Sequence, residues 1–279
     1  MPTLISPLKI LEHYQGIWHR FKYYQGIWHR FIDRARQARF LLLGEVHGAR
    51  ENPRILITLL AKLHVQIGLR FLGVEWRAEY QTAIDHYVLD GQKDSEPIIP
   101  CSEDGRVSLE HHQFLDWLAN FNRPLKREEQ IQVICFDGVP AEGGDSWNAR
   151  DRGMYEQLMK EYYSRSQLHH PPALLVAGNL HTRTTPFMMQ EEDKDIEHIP
   201  FGSYFLKDPS VPSKPLLFNL KYASGEIYNM HVKKLGSNDK LTALFKGKFA
   251  NAEGLLTEAQ GKGDFDFVIS QAHPVTIAP

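Results

Sequence analysis

Two cysteines in 279 residues exclude a disulfide-stapled scaffold. Cys135 lies in an apolar run and Cys101 in a polar stretch, so both are expected as free thiols of a reducing compartment. No run of about 18 apolar residues is present, which excludes a transmembrane helix. The opening MPTLISPLKILEHY lacks a charged leader, an apolar core and a small-residue cleavage site, so a cytoplasmic protein is expected. A formal net charge of -2 gives no general attraction to nucleic acid or to an anionic membrane, so neither is expected as a partner. Also missing are a Gly-X-Ser-X-Gly nucleophile elbow, a His-Glu-X-X-His zinc motif and a phosphate-binding P-loop. Any hydrolytic nucleophile is therefore expected to come from water rather than from a side chain.

What is present is a β-loop-α rhythm. Residues 40–43 (FLLL) read as a buried strand bounded by Gly44. Asn52 and Pro53 then suit a helix N-cap and first turn, with Ile55, Leu59, Leu60, Leu63 and Ile67 at helical spacing. Residues 70–75 (RFLGVE), 131–136 (IQVICF) and 173–177 (ALLVA) read as three more strands, with helices over 78–89, 109–121 and 147–163. Residues 91–107 form a polar loop, read as an excursion over the site rather than a linker. Residues 216–222 and 226–232 flank Ala223-Ser224-Gly225 as a hairpin, and 266–270 (DFVIS) read as a last strand. The fold class expected is α/β: a mainly parallel central sheet with helices on both faces and a late antiparallel hairpin. With 42% hydrophobic residues and no composition break, one domain over 1–279 is expected, its first 39 residues a helical extension beginning near Ser6 and Pro7.

The octapeptide YQGIWHRF occurs at 14–21 and again at 24–31. Ten residues of helix is about 1000°, so the two copies are rotated by roughly 80° and cannot present one face to one partner. Two short copies do not make a solenoid, and the repeat reads as a local duplication rather than a chemical motif.

Chemistry gathers at the strand ends. Glu45 and His47 follow the first strand, Glu75 ends the second, Asp137 ends the third and His181 follows the fourth. In a parallel sheet all of them open at one edge, where α/β proteins bind ligands. Asp137 reads as a cap of the next helix, and the Arg150-Asp151-Arg152 triplet as helix-surface charge able to serve Glu75, whose burial requires a partner. His111 and His112 face different ways and do not share a metal.

The motifs LLLGEVH, GVEW, NARDRGM and VAGNLHTR, in this order, resemble the erythromycin esterase/ChaN-like superfamily, which also groups with the Tiki proteases. The likeness spans residues 40–186 with a looser match at DFDFVI, and LVAGNLHTR followed by a proline is most similar to the ChaN-like branch. By matching motif positions the resemblance implies a site of Glu45, His47, Glu75 and His181, with Arg152 nearby. The chain departs from ChaN in lacking a leader and a lipid-attachment cysteine, and from the esterases in lacking a longer helical insertion. No haem-ligating tyrosine matches a position.

Two mechanisms are open for a hydrolase acting on an ester or amide of a small molecule. In one, neutral His47 is the general base, Glu45 or Glu75 holds its tautomer, and His181 or Arg152 stabilises the oxyanion. In the other, Glu45, His47, Glu75 and His181 hold a divalent metal (zinc, manganese or iron) that generates hydroxide. The alternative to catalysis is a haem- or iron-handling protein.

Overall fold

The structure, a computed structural model, describes residues 21–22, 25–91, 99–138, 146–166, 170–191, 194–246, 253–259 and 264–278. The expected first helix and most of the first YQGIWHRF copy lie outside these.

An eight-stranded sheet runs in the order β1 (Phe21–Lys22), β11 (Gly254–Glu258), β12 (Phe265–Ile269), β8 (Leu216–Tyr222), β2 (Phe40–Glu45), β5 (Ala173–Gly178), β3 (Phe71–Arg77) and β4 (Gln132–Asp137). The strands from β12 to β4 are all parallel, and β11 enters antiparallel to β12. The strands β2, β3, β4 and β5 therefore end at one edge, as their order in the sequence predicts.

Side chains along β2 alternate between two cores. Leu41 and Leu43 face the helices α1 (Gln25–Gln37), α2 (Glu51–Ile67), α3 (Gln81–Asp90) and α4 (Leu109–Asn122). Phe40 and Leu42 face α5 (Trp147–Ser166) and α6 (Phe201–Lys207). Burial on both faces is why the strand reads as an unbroken apolar run. The second YQGIWHRF copy opens α1 and supplies Trp28 and Phe31 to the first core. Phe31 is wholly buried, its ring 5.3 Å from Phe218 and from Phe265, both edge-on. Fully burying such a side chain contributes about 1.5–3 kcal/mol.

The late hairpin is real, but its strands differ from those expected. Residues 216–222 enter the central sheet between β2 and β12, because LLFNLKY is apolar enough to be covered on both faces. The hairpin is β9 (Gly225–Asn229) with β10 (His231–Leu235), turning at Met230, whose φ is 60°. A second hairpin, β6 (Phe187–Glu191) with β7 (Lys194–His198), gave no sequence signal, nor did β11. A short helix, α7 (Asp239–Leu244), precedes β11.

The loop after β2 is held from two sides. Tyr228 of β9 and Val275 of the C-terminal segment both donate backbone N–H groups to the Gly48 carbonyl at 3.0 Å. A side chain at Gly48, whose φ is 82°, would collide with the Tyr228 carbonyl. Asn52 is not the N-cap of α2, which begins at Glu51 after Arg50. Its buried amide instead donates to the Val46 carbonyl at 2.9 Å and accepts the Tyr222 hydroxyl, tying the loop to β8.

Candidate active site at the sheet edge

Glu75 is the hub. The register of β3 against β4 shifts between Val74 and Arg77, and such an irregularity re-aims a side chain at a strand end. The aimed carboxylate is almost fully buried. Its Oε1 accepts from Arg106 Nη1 at 2.7 Å and Arg150 Nη2 at 2.6 Å; its Oε2 accepts the Gly178 backbone N–H at 2.7 Å and lies 3.5 Å from His47 Nε2. Burial pushes the Glu75 carboxyl up, but the His47 cation, its hydrogen bond and the Arg106 guanidinium outweigh it and hold the group well below the carboxylate range.

His47 lies between two carboxylates. Its Nδ1 is 3.0 Å from Glu45 Oε1 while its Nε2 faces Glu75. Burial disfavours the cation, but Glu75 and Glu45 overcome it and raise the imidazole to about 10. His47 is thus an imidazolium at neutral pH, which corrects the expectation of a neutral His47 acting as base.

His181 has the opposite surroundings. A guanidinium only donates, so Arg150 Nη1 at 3.2 Å requires a lone pair on His181 Nε2. The proton then sits on Nδ1 and is donated to Asp151 Oδ1 at 2.7 Å. Trp147 stacks on the ring at 5.3 Å and 13°. Asp151 is fully buried on the inner face of α5; its Oδ2 accepts His198 Nε2 at 2.5 Å and its Oδ1 the Phe201 backbone N–H at 3.0 Å. Burial raises Asp151, and its bonds from His181 and His198 more than reverse this.

The structure brings Glu45, His47, Glu75 and His181 together, and does not bring Arg152. Arg150 fills that place, with Nε and Nη2 on Asp137 at 3.0 and 2.8 Å. Two residues on, about 200° around the helix, Arg152 is exposed and pairs with Glu156 at 2.7 Å. Asp137 does not cap α5, which starts ten positions later; it is the second anion for Arg150 and Arg106. Arg106, Asp151 and His198 were missed as site residues. The loop expected to cross the site does deliver Arg106, held by Asp104 at 2.5 Å.

The four expected metal ligands do not surround one point, because Glu45 and Glu75 bind opposite nitrogens of His47 and both oxygens of Glu75 already accept hydrogen bonds. A different buried group, Asp151, His181 and His198, has donor atoms within 4.8 Å of one another, a spacing that can hold a metal ion. Its present bonds suit a proton-sharing relay better. The outer His198 Nδ1 is buried without a partner, whereas a metal-bound imidazole ordinarily donates there, and the outer His181 nitrogen faces a cation.

His47 and His181 pack closely over the backbone of Gly178. A Cβ there would stand 3.1 Å from His47 Nε2, 3.3 Å from His181 Cδ2 and 3.6 Å from Glu75 Oε2. The glycine thus lets the two rings approach one another, with no room even for a methyl group unless one of them shifts. Among the described residues, no helix is long and apolar enough to cross a membrane.

Neither a protein-family model nor a curated protein sequence matches the chain. Solved structures do. A succinoglycan biosynthesis protein superposes at a TM-score of 0.65 with 10% identity, over 88% of this chain and 91% of that one. An erythromycin esterase, an EreC variant in its open conformation, superposes at 0.59 with 8% identity, over 90% and 95%. The chain therefore shares the fold of erythromycin esterase, as its motifs suggest. A haem-bound ChaN of Campylobacter jejuni reaches only 0.38, too low to carry an argument.

Proposed function

We propose that this chain is a hydrolase that directs water against an ester or amide carbonyl of a small molecule. One observation carries the reading: two histidines with different neighbours, one set between two carboxylates and the other between a carboxylate and a guanidinium, meet over Gly178. His181, its tautomer set by Asp151, holds an acceptor nitrogen that accepts from Arg150 and takes a proton from water once that bond is released. His47 is a stored proton donor for the leaving group. With Arg106 and Arg150, both held by Glu75 and Asp137, it supplies fixed N–H donors for a developing oxyanion. The erythromycin esterase fold is consistent with this chemistry but does not assign it. The haem- or iron-handling alternative rests on the motif resemblance alone.

A panel of p-nitrophenyl esters and anilides tests the reading. Metal-free protein is expected to turn over at least one of them, and His181→Asn to lower kcat by about 10²–10⁴ with the circular dichroism spectrum unchanged. Loss of turnover on chelation, restored by one divalent ion, would move the chemistry to the Asp151–His181–His198 group. No turnover on any substrate, with a Soret band after adding haemin, would overturn the hydrolase.

A further inference from the structure

A partly open cavity of about 20 Å³ lies beside His47, lined by Glu45, His47, Glu75, Arg106 and His111 and otherwise mostly by apolar side chains of α2, β3 and β5. That is room for one water, and the lining offers it polar partners. His111 is 5% exposed and belongs to none of the machinery above. Its Nδ1 is 2.9 Å from Ser108 Oγ, whose hydroxyl donates to Glu110 Oε2 at 3.0 Å. The serine proton is thus committed outward, so His111 must donate from Nδ1 and hold its lone pair on Nε2. Among the described residues, that Nε2 has no partner, and the ring lines the cavity. Glu110 reaches the surface, where Thr276 donates to it from its backbone N and its hydroxyl, both at 2.9 Å.

We propose that this cavity holds one ordered water and that the chain water–His111–Ser108–Glu110 is the proton outlet of the site. The proposal rests on the hydrolase reading. Hydrolysis of an ester to a carboxylate and an alcohol at neutral pH releases one proton, and that proton has to leave the site. Every hydrogen bond in the chain already points outward. The proton released in the site joins the cavity water as a proton of that water passes to His111 Nε2, the Nδ1 proton passes to Ser108 Oγ, and the Ser108 hydroxyl proton passes to Glu110 and on to solvent. A flip of the His111 ring and a turn of the Ser108 hydroxyl then reset the chain. Burial lowers His111 to about 3, so the imidazole keeps its single ring proton and does not store a second one. Burial raises Glu110, but hydrogen bonds from Thr276 and Ser108 keep it a carboxylate.

The test is turnover of p-nitrophenyl acetate in weak buffer and in concentrated imidazole. Ser108→Ala and His111→Phe are expected to lose about tenfold in kcat with KM unchanged in weak buffer, and to regain it when imidazole replaces the relay. Glu110→Gln, at the surface and safe for folding, is expected to lose less and to be rescued in the same way. Undiminished kcat in weak buffer, or a loss that imidazole does not restore, would overturn the outlet. If the wild type turns over no ester, the hydrolase reading fails by itself. The relay is then read by NMR: an Nδ1–H tautomer at His111, and slower solvent exchange of the His47 ring protons in His111→Phe, support it, whereas unchanged exchange overturns it.

Discussion

His47 and His181 stand on either side of one carboxylate, Glu75, at 3.5 and 3.7 Å, yet they are built for opposite tasks. His47 has an anion at each nitrogen, so it carries both ring protons and a positive charge. His181 has Asp151 at Nδ1, while at Nε2 the Arg150 guanidinium at 3.2 Å stands nearer than Glu75 at 3.7 Å, so the geometry puts its ring proton on Nδ1 and turns its Nε2 lone pair to the arginine. The chemical role of a histidine here is decided by its second neighbour and not by the residue type.

The largest effect that tests this contrast comes from Glu75→Gln. The change keeps shape but removes the charge that Arg106, Arg150 and His47 share. Breaking a buried ion pair on one side costs about 3–5 kcal/mol, because the remaining charges lose their counter-ion. A large fall in melting temperature and loss of turnover are expected, with His47 falling towards an ordinary imidazole. If NMR titration shows His47 unmoved in Glu75→Gln, Glu75 does not set its charge and the contrast fails.

Next in size is the pH response of stability. The folded value of His47 lies above the unfolded one, near 6.5, so its contribution is complete below about pH 6.5 and is lost as pH rises to about 10. Glu75 is shifted the other way, so its contribution is present above its unfolded value, near 4.5, and fades only as pH falls below that. Urea midpoints measured from pH 6 to pH 10 are expected to decline in the wild type and to stay flatter in His47→Gln. Equal slopes would show that His47 is not charged in the folded protein.

Gly178→Ala probes the close approach of the two rings over this glycine. Its Cβ would meet His47 Nε2 at 3.1 Å and His181 Cδ2 at 3.3 Å, so one ring has to give by a few tenths of an ångström. Misplacement on the scale of 1 Å costs about 10² in rate, and a loss of roughly tenfold is expected here with little change in melting temperature. A fully active Gly178→Ala would place the reacting atoms elsewhere.

Much of this was legible in the sequence. FLLLGE, RFLGVE, IQVICF and ALLVA announce buried parallel strands because both faces are covered, and parallel strands must open their C-terminal ends to one side. That alone gathers Glu45, Glu75, Asp137 and His181. What the sequence hid is long-range and angular. Arg106 comes from a polar loop whose path depends on Gly48, β9 and Asp104. His198 comes from a hairpin, PFMMQEEDKDIEHIP, with no alternation and no turn dipeptide. The protonation of His47 depends on the count of anions around it, and spacing along the chain does not give that count.

The smallest expected effect separates the two arginines in the first turns of α5, Arg150 and Arg152. Arg150 bonds Glu75, Asp137 and His181 Nε2, so Arg150→Gln removes the guanidinium that fixes the His181 lone pair and is expected to lower kcat strongly. Arg152 points away from the sheet edge, and its ion pair with Glu156 is the one-turn kind that contributes about 0.3–0.5 kcal/mol. Arg152→Ala is therefore expected to leave kcat unchanged and to move the urea midpoint barely beyond error. The pair of variants also tests the register of α5, because a shift of two residues along this helix exchanges the inner and outer arginines. Equal losses of rate in Arg150→Gln and Arg152→Ala would mean that the helix presents a different face to Glu75. The assignment of His181 as base would fall with it.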